Sequence, residues 1–142
     1  KKRGLWGYVF TVFREFFKYN PLNVSIDVDG KVKSLPVMLC TVANSSEFGN
    51  GFKISPESDV TDGELELCIL KPFTFWSAPS IAYNYFRNRG HKSKFSEIIR
   101  FKKAKIKLSN KVAHYDGEPV DVRQEIHVSV VPKSLHILVG KK

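Results

Sequence analysis

A mainly β domain of the sandwich or open-barrel type, with two helices attached, is the fold this sequence predicts. Three observations lead there. Short segments with apolar residues at every second position, the period of a half-buried strand, recur along most of the chain. Turn residues, among them Asp29-Gly30, Asp62-Gly63 and Asp116-Gly117, punctuate them. Helical spacing is confined to two stretches, residues 5–19 and the segment after Ser77. The 142 residues are the size of one domain with one sizeable core, and a composition 42% hydrophobic and 13% aromatic argues against disorder.

Taken in order, Leu5, Tyr8, Val9, Val12, Phe13, Phe16 and Phe17 fall on one face of a helix that Asn20-Pro21 stops. That aromatic face suits packing against a sheet; a wall for a lipid chain is the functional alternative. Val24, Ile26 and Val28 then alternate with polar residues, and a three-residue turn, Asp29-Gly30-Lys31, is expected to keep Val28 and Val32 on one face of a hairpin. The nearly continuous apolar run Leu35–Ala43 predicts a central strand. Leu65, Leu67 and Ile69 mark another, ended by Lys71-Pro72. Ser77 and Pro79 start a second helix with Ala82, Tyr85 and Phe86 on its inner face and Gly90 as its stop. Ala104, Ile106 and Leu108 alternate with Lys103, Lys105 and Lys107; Val112–Tyr115 and Glu118–Val122 flank the Asp-Gly turn. Ile126, Val128 and Val130 form a further strand, and Leu135–Val139 is expected to close the sheet. No internal repeat or low-complexity tract interrupts this pattern.

No apolar run reaches the roughly 18 residues that span a bilayer, and no signal peptide with a small-residue cleavage site is visible. Cys40 and Cys68 both lie in apolar strand-like runs, where a thiol behaves as a small hydrophobe. Free thiols fit a reducing, cytoplasmic setting better than a disulfide does, although two cysteines leave a disulfide open. The chain opens on Lys1-Lys2-Arg3 and its single Met is the internal Met38, so it reads as a domain taken from a longer protein. Its net charge of +9 is concentrated: residues 87–111 hold ten Lys or Arg against one acid, Glu97, while the other thirteen bases and thirteen acids cancel. Such a strip attracts anionic lipid, nucleic acid or polyphosphate. Its alternative is a solvated strand face, Lys-rich to discourage edge pairing.

Two places hold clustered carboxylates where chemistry could sit. Glu57, Asp59, Asp62, Glu64 and Glu66 crowd ten residues without a base, and converging carboxylates and carbonyls are what a hard cation such as Mg2+ requires. A solvated acidic turn before a strand has the same composition. The Asp116-Gly117-Glu118 turn, Asp-Gly between two apolar-patterned strands, is by itself a hairpin signal that needs no function. His114, His127 and His136 sit in strand patterns at no metal-ligand spacing, and no hydroxyl or thiol nucleophile stands beside a His for acyl transfer.

The stretch Asn44 to Leu67 and the later Asp116-Gly117-Glu118 turn together resemble the C-terminal half of the diacylglycerol kinase-like lipid kinases, a group that includes bacterial lipid kinases and sphingosine kinases. The matching elements are Asn44, Gly49, Gly51, Pro56, Asp62-Gly63-Glu64-Leu65 and Asp116-Gly117-Glu118. The resemblance runs over residues 4–139; it departs at Asn50, where a third glycine is usual, and at Ser58, where Ala is common. It implies the C-terminal β-sandwich-like domain of the NAD kinase/diacylglycerol kinase-like fold. The implied reaction is ATP-dependent phosphorylation of a lipid hydroxyl, with diacylglycerol or a related lipid as substrate. Glu118 matches the family's general base; Asn44, Gly49, Gly51, Asp116 and His91 match its cleft; Asp59, Asp62 and Glu64 match positions that hold Mg2+, partly through main-chain oxygens.

The family's nucleotide-binding half carries a Gly-Gly-Asp-Gly-Thr loop, and neither that loop nor Gly-x-x-x-x-Gly-Lys-Ser/Thr occurs here. ATP is therefore expected to be bound mainly by an N-terminal domain outside this chain, and the chain alone to be inactive. The expected partners are that domain, a lipid substrate and an anionic membrane surface at the cytoplasmic face, with a homodimer left open and nucleic acid disfavoured. A non-catalytic membrane- or nucleic-acid-binding β module and an NAD kinase-like domain are the alternatives.

Overall fold

The computed structural model describes residues 19–49, 52–109, 112–122, 124–136 and 138. The chain enters through β1 (Leu22–Val28) and β2 (Lys31–Val37), an antiparallel hairpin in which Val28 pairs with Lys31 and Val24 with Leu35. The turn is thus two residues, Asp29 and Gly30, and not the three expected. Both take positive φ, 52° and 79°, which is the geometry whose twist matches that of paired strands. The one-residue difference changes the register. Val32 lies across from Asp27 and is exposed, while Lys33 pairs with Ile26 on the inner face.

The apolar run expected as one central strand is divided at Met38. Its first part completes β2; the second is β3 (Leu39–Ala43), which belongs to a different sheet. A chain that passes from one layer of a sandwich to the other shows apolar residues in both, so hydropathy does not mark the crossing. The sheet position follows: β3 is an edge strand, and the central one is β6 (Leu65–Leu70), between β3 and β7 (Ser96–Phe101). A short hairpin of β4 (Glu47–Gly49) and β5 (Phe52–Lys53) precedes β6.

The other sheet is completed by β8 (Lys103–Leu108) and β11 (Glu125–Ser129), in the order β11-β8-β1-β2. Val24, Ile26, Val37, Ala104 and Ile106 from this sheet meet Leu65, Leu67, Ile69 and Phe101 from the three-stranded sheet in one core. Each fully buried side chain of this size contributes about 1.5–3 kcal/mol of transfer free energy. The opposite residues of the β11-β8-β1 face, among them Asp27, Lys105 and Lys107, meet solvent, as the alternation predicts. Two strands, β9 (Val112–Tyr115) and β10 (Glu118–Asp121), form a separate two-stranded ribbon.

The second face of β6 is covered as well. Cys68 packs there with Ala43 and Ile54, and Ile98 closes the cluster. Helix α1 (Ala78–Phe86) lies between short 3-10 turns at Phe75–Ser77 and Gly90–Lys92. Its buried residues are Ile81 and Tyr85; the expected inner residues Ala82 and Phe86 point outward, Phe86 being 79% exposed. Tyr85 and Ile81 are four apart, one helical turn, whereas Ala82 lies about 100° from Ile81 around the helix axis. A Cβ on Gly90 would stand 2.3 Å from the Tyr85 ring, so this glycine is required by close packing. The expected helix at residues 5–19 lies outside the described residues. Leu135, His136 and Leu138 are not in a strand, and Leu135 is 75% exposed, so the strand expected at Leu135–Val139 is not formed by its described residues.

Candidate functional site

Because β6 is covered on both faces, the acid within its apolar sequence, Glu66, is carried into the interior at 2% exposure. Across the sheet it lies between Ala43 of β3 and Arg100 of β7. Ser58 donates a 2.6 Å hydrogen bond to Oε2, while Arg100 Nε stands 3.7 Å from Oε1. The same guanidinium donates to the Glu57 carbonyl at 3.4 Å. One buried carboxylate thereby ties the loop after β5 to the sheet through Ser58, while Arg100, half exposed, bridges its other side to the Glu57 carbonyl.

Beside Glu66 opens a depression of about 340 Å³, lined by Ser55, Glu57, Glu66, His91 and Arg100 among others. Among the described residues, the buried side-chain polar atoms without a hydrogen-bond partner are Ser55 Oγ, Glu66 Oε1 and His91 Nδ1, all from residues lining this depression. Burial pushes the nearby Cys68 thiol up and the Ser55 hydroxyl only partly opposes it, and a thiol is too weak a partner to satisfy that hydroxyl. Buried polar atoms left unpaired cost about 1–3 kcal/mol each, so their convergence marks a place built to receive a polar group. His91 is held by the 3-10 turn after α1, with Nε2 4.0 Å from Glu57 Oε1.

The acidic loop runs directly into this place. Asp59 Oδ1 accepts from the Thr61 amide at 2.8 Å and the Thr61 hydroxyl at 2.6 Å, and these two bonds hold its carboxyl below the usual range. Asp62 Oδ1 accepts from the Glu64 amide at 2.8 Å. Each aspartate therefore spends one oxygen on shaping the turn. Among the described residues no three His, Cys, Asp or Glu side chains converge as a ligand set. The acids Asp59, Asp62 and Glu64 offer oxygen alone, the donor type that a hard cation such as Mg2+ takes.

Asn44 is exposed in the bend after β3, and the Ser55 amide donates to the Ser46 carbonyl of that bend at 3.4 Å. The bend after β3 thus adjoins the segment that leads into the depression, but of Asn44, His91, Asp59, Asp62 and Glu64 only His91 is among the residues that line it. Gly49 ends β4; Gly51 lies outside the described residues. Asp116 and Glu118 are not among the residues lining the depression. They sit at the tip of the β9–β10 ribbon, where Asp116 and Gly117 take φ of 48° and 90° and Glu118 pairs with Tyr115, all of them exposed. Ser55 and Arg100 line the depression and were not expected as site residues, while Glu66 was counted only as one acid of the cation-loop candidate and not as a buried strand residue. The signal in the sequence was an acid as the second residue of Leu65–Leu70, whose other residues are all apolar.

A domain family described as the YegS C-terminal NAD kinase beta sandwich-like domain matches residues 2–139. The chain belongs to this family. A relative named Probable lipid kinase YegS-like, from Shewanella frigidimarina, is 22% identical over 121 residues, covering 84% of this chain and 38% of that protein. Diacylglycerol kinase of Bacillus subtilis is 27% identical over 122 residues, 80% of this chain and 40% of the enzyme. This YegS-type domain thus spans about two fifths of the length of these relatives. The crystal structure of a diacylglycerol kinase from Bacillus anthracis shares its fold, with a TM-score of 0.63 at 19% identity over 91% of this chain and 44% of that one. Mainly β architecture, sandwich and kinase family agree with the sequence reading.

Proposed function

We propose that this domain is the lipid-substrate part of an ATP-dependent kinase that phosphorylates the hydroxyl of diacylglycerol or a related lipid. The observation that carries the reading is the family match over residues 2–139 together with a carboxylate, Glu118, held exposed on a ribbon tip beside a tight Asp116-Gly117 turn. An exposed position suits a base that acts in a cleft closed by another domain. ATP is bound mainly by that N-terminal domain. In the step itself Glu118 takes the hydroxyl proton, the lipid oxygen bonds the γ-phosphorus, the bond to the bridging oxygen breaks, and ADP leaves.

Asp116 fixes the turn that aims Glu118. Asn44, Gly49, Gly51 and His91 shape the polar end of the cleft, with Ser55 and Glu66 offering further sites for a polar group. Asp59, Asp62 and Glu64 are the residues that would hold Mg2+, which when bound would supply positive charge to offset these carboxylates. The enzyme works at an anionic membrane surface on the cytoplasmic side.

Glu118→Gln in the full-length kinase tests the assignment. The amide keeps the shape but cannot accept the proton, so turnover should fall about 100-fold or more while the melting temperature and ATP affinity stay at the wild-type values. Activity within a few-fold of wild type would reduce the ribbon to a hairpin connection.

A further inference from the structure

From Pro72 to Phe95 the chain contains no Asp or Glu, while Arg87, Arg89, Lys92 and Lys94 follow closely on one another. All four cations are exposed. Immediately before them, the 3-10 turn and helix α1 present large apolar rings to solvent: Trp76 is 87% exposed, Phe86 79% and Tyr83 60%. On α1, Tyr83 lies on the side opposite Tyr85, which packs inward, so burying this helix has not buried its aromatic side. Phe75 meets the Trp76 ring edge-on at 5.7 Å between centroids, and the Arg87 guanidinium lies 5.7 Å from the Tyr83 ring. Exposed aromatic rings and cations, mixed along one element without a single acid, match neither an ordinary solvated surface nor a core.

We propose that the segment from Trp76 to Lys94 is the element that docks this domain on an anionic lipid bilayer, with Trp76 and Tyr83 entering the interfacial layer and Arg87, Arg89, Lys92 and Lys94 on the headgroups. Charge complementarity chooses the occupant, and the rings choose among anionic occupants. Trp and Tyr partition to the boundary between headgroups and acyl chains, where an apolar ring and a polar edge are both accommodated. Among the described residues no helix is long and apolar enough to cross a membrane, which leaves α1 lying on the surface and not through it. This assignment differs from the basic strip legible in the sequence. Lys103, Lys105 and Lys107 are on β8, where Lys107 pairs with Glu125 at 3.2 Å and Lys105 lies across from Asp27, so that part of the strip is largely balanced.

The proposal deepens the lipid-kinase reading but its test needs neither ATP nor turnover, so the two can fail separately. This chain is sedimented with vesicles of phosphatidylcholine alone and with roughly a third phosphatidylglycerol, at low and high salt. Binding is expected on the anionic vesicles and to weaken as salt rises. Trp76→Ala should lower the affinity by about 10-fold without changing the melting temperature, because the ring is exposed. The double reversal Arg89→Glu with Lys92→Glu should lower it by about 10-fold or more. Equal binding to both vesicle types, or affinity untouched by both variants, would overturn the assignment. So would a Trp76-dependent self-association without vesicle binding, or preference for a single-stranded oligonucleotide over anionic vesicles at the same salt.

Discussion

Cys40 and Cys68 show how burial sets what a side chain can do. They lie on neighbouring strands, but Cys40 packs against the inter-sheet core and Cys68 against the Ala43–Ile54 cluster, so their thiols face opposite sides of the sheet and both are free. Burial, reinforced by the other thiol at Cys40 and opposed by Ser55 at Cys68, pushes both pKa values up to about 11. The thiolate is the nucleophile, so iodoacetamide at about pH 8 should label either residue at least about 100-fold more slowly in the native chain than in urea. Native labelling as fast as in urea would show that the thiols are not buried. Their free, core-like character was legible in the apolar runs around them. Glu66 was not, because sequence alternation cannot reveal that both faces of β6 are covered. His91, by contrast, was found only through the family resemblance; nothing in a lone His after a Gly announces that it lines a depression together with Glu57 and Glu66.

At the scale of elements, what the sequence hid is where chain direction depends on partners. The β1, β8 and β9–β10 patterns were legible because alternation and Asp-Gly turns are local. The division at Met38, the short β4–β5 hairpin and β7 were not, since an apolar run looks the same within one layer and between two. The acidic loop stands between these cases. Its turn chemistry is local, and the Asp62 to Glu64 hydrogen bond accounts for an Asp without any metal. If the loop also holds Mg2+, Asp62→Ala removes two contributions, the cap and the ion. Loss of the cap lowers the melting temperature equally in magnesium and in chelator. Loss of the ion adds roughly 3 °C in millimolar magnesium alone, because a ligand stabilises only the state that binds it. Equal losses in the two buffers would make this element a capped turn and nothing more.

Across the whole molecule, the sandwich is legible as a class, but its closure is not. Among the described residues both β2 and β7 are edge strands, and on their inner sides stand Lys33, paired with Ile26, and Glu97, paired with Ile69. Inward-pointing charges at sheet edges discourage pairing with other chains, and here they meet each other. Glu97 accepts from Lys33 and from Lys71, whose Nζ is 2.8 Å away, so one carboxylate joins the two sheets at their open side. Those bonds, Lys33 first, hold its carboxyl below its ordinary value of 4.5. A carboxyl that stays charged to lower pH when folded adds stability that is complete above the unfolded value and disappears as pH falls through the folded one. The lysines are more than a third exposed, so solvent screening limits the contribution to about 1 kcal/mol, or roughly 3 °C in a domain of this size. Glu97→Gln should therefore melt lower than wild type at neutral pH and converge on it in acid, below the ordinary carboxylate value, as the native glutamate loses its charge. High salt should narrow the neutral-pH gap. A deficit that persists unchanged into acid would assign Glu97 to packing, and the two layers would then be held by the apolar core without this clasp.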